Sequence, residues 1–267
     1  ILIIGVIIAG ISQASDMIDE AALKGARTAS RGSRVSRVKD LVLWIDATAD
    51  GGSLTSASKQ AVDSETVSQL KDANPRSSSR LTLTSPASSN YPVYHSNKTN
   101  GLPGLYFTTS DYVKLSDRFD NSTGEYTIYL VYQPFAIPAS GSHVIFEKRA
   151  TTQTGAFPYK FEIESTGFYK LSDSNGSVYG TKKASAGKVN FLRLSRSSAG
   201  LLTIVVDDVS ASGTANSTSV VNSAELIIGA QNTATPSNFA NGRIGELIIF
   251  ERDLYFSSGT TAEALDI

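Results

Sequence analysis

YTIYLVY, residues 126–132, is apolar or aromatic at nearly every position. Such a run cannot offer one face to water, so it predicts a central strand covered on both sides. Short runs bounded by Gly, Pro, Asn, Asp or Ser continue outward from it in both directions. Upstream they are LVLWIDA at 41, YPVYH at 91, LYFTT at 105 and YVKL at 112. Downstream come HVIFEK at 143, YKFEIE at 159, FYKLS at 168, SVYGT at 177, VNFLRLS at 189, LLTIVV at 201, AELIIGA at 224 and GRIGELIIF at 242. Closely spaced strands of this kind predict a sandwich. Asp207-Asp208 reads as a two-residue hairpin turn and Ser165-Thr166-Gly167 as a three-residue one, so neighbouring strands are expected to be antiparallel. YKFEIE alternates, which predicts a half-exposed strand with Glu162 and Glu164 solvated on its polar face.

The stretch from 48 to 90 is rich in Ser, Ala, Asp and Thr and is expected to be long loops, with a short helix around 65–70. Before residue 39 the period is helical. ILIIGVIIAGI, residues 1–11, is apolar all round and predicts a stem that wants lipid or a helix bundle. At 1.5 Å per residue it covers roughly 17 Å, short of the ~20 residues a bilayer span needs. Asp16, Asp19 and Glu20 then precede Lys24, Arg27, Arg31 and Arg34, which share one helical face. That basic stripe reads either as a solvated face or as a partner for acidic groups on neighbouring copies or for anionic headgroups.

The chain has 267 residues, 40% of them hydrophobic, enough for a sizeable core. Lys and Arg number 24 against 25 Asp and Glu, which gives no electrostatic case for nucleic acid. Cysteine is absent, which removes disulfides and thiolate chemistry. His95 and His143 stand in no metal-type spacing. Glu162 and Glu164 make too sparse a motif for glycoside hydrolysis, so the chain is expected not to be an enzyme. Asp46, Asp111, Asp117 and Asp120 are candidate oxygen donors for calcium or a ligand, against the simpler reading as turn and cap residues. Tyr106, Tyr112, Tyr169 and Tyr179 are candidate sugar platforms, and Trp44 is expected in the core.

Two resemblances follow. Ile3, Ile4, Gly5, Val6, Ile7, Ile8, Ala9 and Gly10 resemble the N-terminal helix of type IV pilins and pseudopilins. The resemblance implies a filament subunit, a homo-polymer packed through Ile1, Ile4, Ile8 and Ile11, with Lys24, Arg27, Arg31 and Arg34 setting register between copies. It also implies processing by a prepilin peptidase, residence in the inner membrane before export by pilus assembly machinery, and an extracellular filament on the bacterial surface. If Gly5 takes the place of the glycine usual in that stem, about nine mature residues precede the sequence. The second resemblance rests on DLVLWIDAT at 40, NYPVYHSNKTNGLPGLYFTTSDYVKL at 90, YTIYLVYQP at 126 and NGRIGELIIFERDL at 241. These look like the LamG-like jelly rolls of the concanavalin A-like lectin and glucanase superfamily, whose members often bind glycans, sometimes with calcium. The expected chain is therefore mainly β, with a long N-terminal α-helix over 1–38 and an antiparallel jelly-roll sandwich over 39–267. An anchored carbohydrate-binding module or adhesin, and a secretion pseudopilin, are the alternatives.

Overall fold

The computed structural model describes Met17 and residues 20–49, 52–77, 80–99, 101–117 and 124–254. The stem residues Ile1, Ile4, Ile8 and Ile11, the acid Asp120 and the closing TTAEALDI lie outside these. Helix α1 covers residues 20–32. The single long helix expected through residue 38 stops there, because Ser33 is extended and its hydroxyl accepts from Val35 N, starting a separate 3₁₀ turn over Arg34–Arg37. No described helix is long and apolar enough to cross a membrane.

Eighteen strands follow among the described residues. They are β1 (Leu41–Asp46), β2 (Leu54–Ser56), β3 (Lys59–Gln60), β4 (Gln69–Lys71), β5 (Thr82–Thr84), β6 (Val93–Thr99), β7 (Leu102–Phe107), β8 (Val113–Leu115) and β9 (Tyr126–Pro134). The second half has β10 (Ser142–Lys148), β11 (Tyr159–Glu164), β12 (Phe168–Asp173), β13 (Gly176–Lys183), β14 (Asn190–Arg196), β15 (Leu202–Val206), β16 (Val209–Ser212), β17 (Leu226–Ile228) and β18 (Gly242–Phe250). They form two sheets. Sheet 1 runs β16-β15-β14-β9-β18-β7-β6, with β1 also on β18; sheet 2 runs β13-β12-β11-β10-β17-β8-β5-β4-β2-β3. Every pairing between named strands is antiparallel, which makes the chain the antiparallel sandwich its pattern predicts.

YTIYLVY is central as expected, but it is not covered on both sides: Tyr129 and Val131 on its outer face are only half-buried. β9 is flanked by β14 and β18, and its Tyr126, Ile128, Leu130 and Tyr132 point into one core shared with Phe146, Phe161 and Leu171 of sheet 2. The turn residues Asp207 and Asp208 both take positive φ, at 44° and 71°, the primed geometry that matches strand twist.

Between residues 48 and 90 the loops and short helix expected from composition give way to β2–β5. Each of these strands is two or three residues long, and Leu54, Leu70 and Leu83 of three of them lie at most 1% exposed. One buried leucine, worth about 1.5–3 kcal/mol, anchors each of β2, β4 and β5 in the sheet without any periodic pattern.

The outer face of sheet 1 carries a second apolar cluster of Val35, Trp44, Ile248, Phe250 and Leu254, with Val38, Leu41, Ala73 and Tyr129 against it. Trp44 is therefore core, as expected, but in the layer beneath the N-terminal segment. Arg27 Nε donates to Thr48 O at 2.9 Å and the Ser30 hydroxyl to Asp46, so the segment after residue 20 is fastened to the sandwich.

Candidate functional site

The alternation in VNFLRLS puts Leu192 and Leu194 into the core and turns Phe191 and Arg193 to the outer face of sheet 1. Phe191 is 65% exposed. Its main chain is fixed on both sides by one residue: Phe191 N donates to Asp207 Oδ1 at 2.8 Å, and Asp207 N donates to Phe191 O at 2.9 Å. Asp207 in turn accepts from Lys182 Nζ at 2.6 Å and Asn190 Nδ2 at 2.9 Å. Burial pushes its carboxyl up, but Lys182, Phe191 N–H and Asn190 outweigh that and hold it below the usual carboxylate range. An exposed phenyl ring on so constrained a backbone is a rigid platform. It lines a cleft of about 980 Å³ together with Tyr129, Val131, Arg193, Val205 and Glu246.

The far wall of the cleft comes from β18. A bulge between Ile244 and Glu246 shifts the register against β9, and at the same point the other edge of β18 changes partner from β7 to β1. The GELIIF half is thereby re-aimed so that Glu246 lies directly across from Asp46 of β1, with Leu247 and Ile249 turned to the core. Glu246 Oε1 accepts from Trp44 Nε1 at 2.7 Å. Burial pushes the Glu246 carboxyl up to about 7, the Asp46 charge adds to the rise, and the indole hydrogen bond opposes it. Near neutral pH the cleft thus holds a carboxyl that can donate or accept a hydrogen bond.

Asp46, Asp111 and Asp117, the described members of the four aspartates, do not form a metal-holding group. Among the described residues no three acidic or histidine side chains are grouped to hold a metal ion. Asp46 is 6% exposed and its oxygens accept from Thr48 N and Thr48 Oγ1, each at 2.7 Å, and from Ser30. Asp111 closes a turn by accepting from Thr108 N at 2.9 Å and Thr108 Oγ1 at 2.7 Å. Asp117 pairs with Lys148 Nζ at 2.7 Å, and the same ammonium meets Asn222 O at 2.7 Å and Asn222 Oδ1 at 3.0 Å. A fully buried lysine thus fills the oxygen cluster that a cation at Asp117 would use. Adding calcium to ~1 mM, the range of extracellular modules, is expected to leave the thermal unfolding midpoint unmoved. A rise would place a calcium site at one of these acids.

In the predicted stripe, Arg27 faces the chain's own Thr48, while Lys24, Arg31 and Arg34 are exposed. Glu162 departs from the solvated reading: it is 5% exposed and pairs with Lys160 at 2.8 Å and Lys170 at 4.0 Å. Glu164 binds Lys170 at 2.8 Å. Among the tyrosines, Tyr112 and Tyr169 are buried, Tyr106 stacks on Arg243, and Tyr179 is 44% exposed beside Lys170. His95 packs on Tyr106, burial pushes His143 down, and among the described residues neither belongs to a group of three acidic or histidine side chains that could hold a metal ion. Phe191, Tyr129 and Glu246 were not singled out from sequence, although an aromatic on the polar side of VNFLRLS was a readable signal.

Two antiparallel sheets around one core, with an open cleft on an outer face, define a jelly-roll sandwich of the lectin and glucanase type. The chain belongs to the concanavalin A-like lectin/glucanases superfamily: the Laminin_G_3 family matches residues 107–255. Among solved structures, it superposes on Trypanosoma rangeli sialidase in complex with the inhibitor DANA with a TM-score of 0.53 and 13% identity, over 80% of this chain and 31% of that one. Domain 4 of AbnA, a GH43 extracellular arabinanase from Geobacillus stearothermophilus in complex with arabinotriose, gives a TM-score of 0.46 and 18% identity, over 60% of this chain and 75% of that one. The chain spans about a third of the length of the sialidase structures it matches. No curated protein sequence matches it.

Proposed function

We propose that this chain is a non-catalytic saccharide-contacting module, displayed at a cell surface by its N-terminal segment. The observation that carries the reading is Phe191, 65% exposed on a backbone pinned by Asp207, at the lip of a cleft with Tyr129, Arg193 and Glu246. Sugar rings offer a C–H face to an aromatic ring and hydroxyls to neighbouring polar groups, and this arrangement supplies both. The superfamily membership of residues 107–255 supports it. On a glycan array the wild type is expected to select a subset of neutral oligosaccharides. Phe191→Ala is expected to lose about tenfold or more of that binding, the scale of one aromatic contact plus its buried area, with an unchanged unfolding midpoint. Equal binding by both proteins would remove the cleft from the account.

A second reading concerns display. Helix α1, which follows the apolar residues 1–11 in sequence, is fastened to the sandwich through Arg27 and Ser30, and Val35 just after it packs in the outer apolar cluster of sheet 1. That coupling favours a presenting stem, either as an anchor or as the core of a pilin-like filament built from copies of this chain. Cryo-electron microscopy of native surface material distinguishes them. Helical filaments with residues 1–30 along the axis support the subunit reading, and separate stems in membrane support the anchor.

A further inference from the structure

We infer that Tyr169 and Asn190 are positioning residues for the Phe191 platform: a buried hydrogen-bond relay, running from the core of the sandwich through Asn190 to Asp207, sets the backbone that carries the ring and with it the affinity of the cleft. This deepens the saccharide reading and rests on it, and neither residue lines the cleft itself. The relay begins on sheet 2. Tyr169 of β12 is fully buried and stacks on Phe161 with ring centroids 5.6 Å apart. Burial pushes its hydroxyl up, so it stays protonated, and it donates to Asn190 Oδ1 at 2.8 Å.

Asn190 opens β14 of sheet 1, and the alternation that turns Phe191 outward turns Asn190 inward, where it is fully buried. A side-chain amide has an accepting end and a donating end, and both neighbours select the same setting. Tyr169 gives its proton to the oxygen, and the Asp207 carboxylate, which can only accept, takes Nδ2 at 2.9 Å. Asp207 Oδ2 is thereby shared by Asn190 and Lys182, which leaves Oδ1 aimed at Phe191 N, 2.8 Å away. The lysines alone are poorer fixtures. Lys182 at 2.6 Å is 34% exposed and Lys188 at 3.6 Å is 54% exposed, and solvated pairs of this kind hold geometry weakly. Asn190 is the buried partner, and a buried amide that loses either neighbour gives up a bond that no water replaces. The exposed ring on the outer face of sheet 1 is therefore oriented from inside the sandwich.

The test titrates neutral oligosaccharides selected on an array against the full chain and its variants by calorimetry. Asn190→Leu is expected to weaken binding by about three- to tenfold, the value of one side chain that must be ordered on binding, and Tyr169→Phe to act in the same direction. In both variants the Phe191 N–H is expected to exchange with solvent about tenfold faster, the value of one hydrogen bond, while the Leu194 N–H on the same strand keeps its rate. In a Phe191→Ala background Asn190→Leu is expected to cost no further affinity, because the two changes act through one ring. Ile228→Val, in the core on β17, is expected to lower the unfolding midpoint and leave both affinity and Phe191 exchange as they are. Wild-type affinity in both Asn190→Leu and Tyr169→Phe, an equal loss in Ile228→Val, or a full further loss in the Phe191→Ala background would overturn the positioning role. If the wild type binds no oligosaccharide, the saccharide reading falls and exchange decides the relay alone. A faster Phe191 N–H in the two variants then upholds it, and an unchanged rate overturns it.

Discussion

Arg196→Leu is expected to lower the unfolding free energy by about 3–5 kcal/mol, the scale for removing one partner of a buried ion pair. Arg196 lies on β14 of sheet 1 and Asp173 on β12 of sheet 2, so their 2.9 Å contact ties the two layers together. Both side chains are at most 1% exposed. Arg196 Nη2 also holds the Asn216 and Thr218 carbonyls at 3.0 and 2.9 Å, while the other oxygen of Asp173 caps the turn to β13 through Asn175 N and Gly176 N. Leucine leaves Asp173 charged, buried and missing its cation. The double variant Asp173→Asn, Arg196→Leu removes the stranded charge and is expected to recover part of the loss. Urea midpoints of the three proteins measure this, and a loss below about 1 kcal/mol, the range of surface pairs, would mean that the pair does not brace the sheets.

Glu246→Gln is expected to stabilise the protein above neutral pH and to leave it nearly unchanged near pH 5. The carboxyl titrates near 7 in the fold against an ordinary value of 4.5. Between these values the folded chain holds a proton that the unfolded chain has released. Stability from this group is therefore complete below the unfolded value and lost as pH rises through the folded one, about 3 kcal/mol in all if the full shift applies. Glutamine keeps an oxygen for Trp44 Nε1 and never ionises beside Asp46, so it escapes that loss. Thermal midpoints at pH 5 and pH 8 for both proteins check it. An equal effect of the substitution at both pH values would place the Glu246 titration elsewhere.

Long elements declared themselves in the sequence because each carries a periodic pattern. β9 shows an unbroken apolar run, β18 reaches the bounds of GRIGELIIF, and Asp207-Asp208 turns as predicted. β2, β4 and β5 did not, since three residues with one buried leucine hold no period. Glu162 looked solvated because alternation gives a face, not a neighbour; its partner Lys170 arrives through the β11–β12 register. The site was legible only in pieces for the same reason. Asp46 was noted as an oxygen donor and GRIGELIIF as a strand, but the meeting of Asp46 with Glu246 across 200 residues of chain depends on β1 pairing with the second half of β18. The docked N-terminal segment was equally hidden, for Arg27 sits on a stripe that reads as a solvated face or a surface for other copies or headgroups, and Ser30 gave no signal, until the end of β1 is placed beside them.

The claim that the outer face of sheet 1 contacts saccharides has a built-in probe. Trp44 is the one tryptophan of the chain, and its indole is bonded to Glu246 on the cleft wall. Neutral oligosaccharides selected on an array should be titrated against wild type and Phe191→Ala while tryptophan emission is followed. The account predicts a saturable change in wild type that needs about tenfold or more additional ligand in the variant. Saturation at the same concentration in both proteins, or a selected ligand that leaves Trp44 emission untouched, would contradict it.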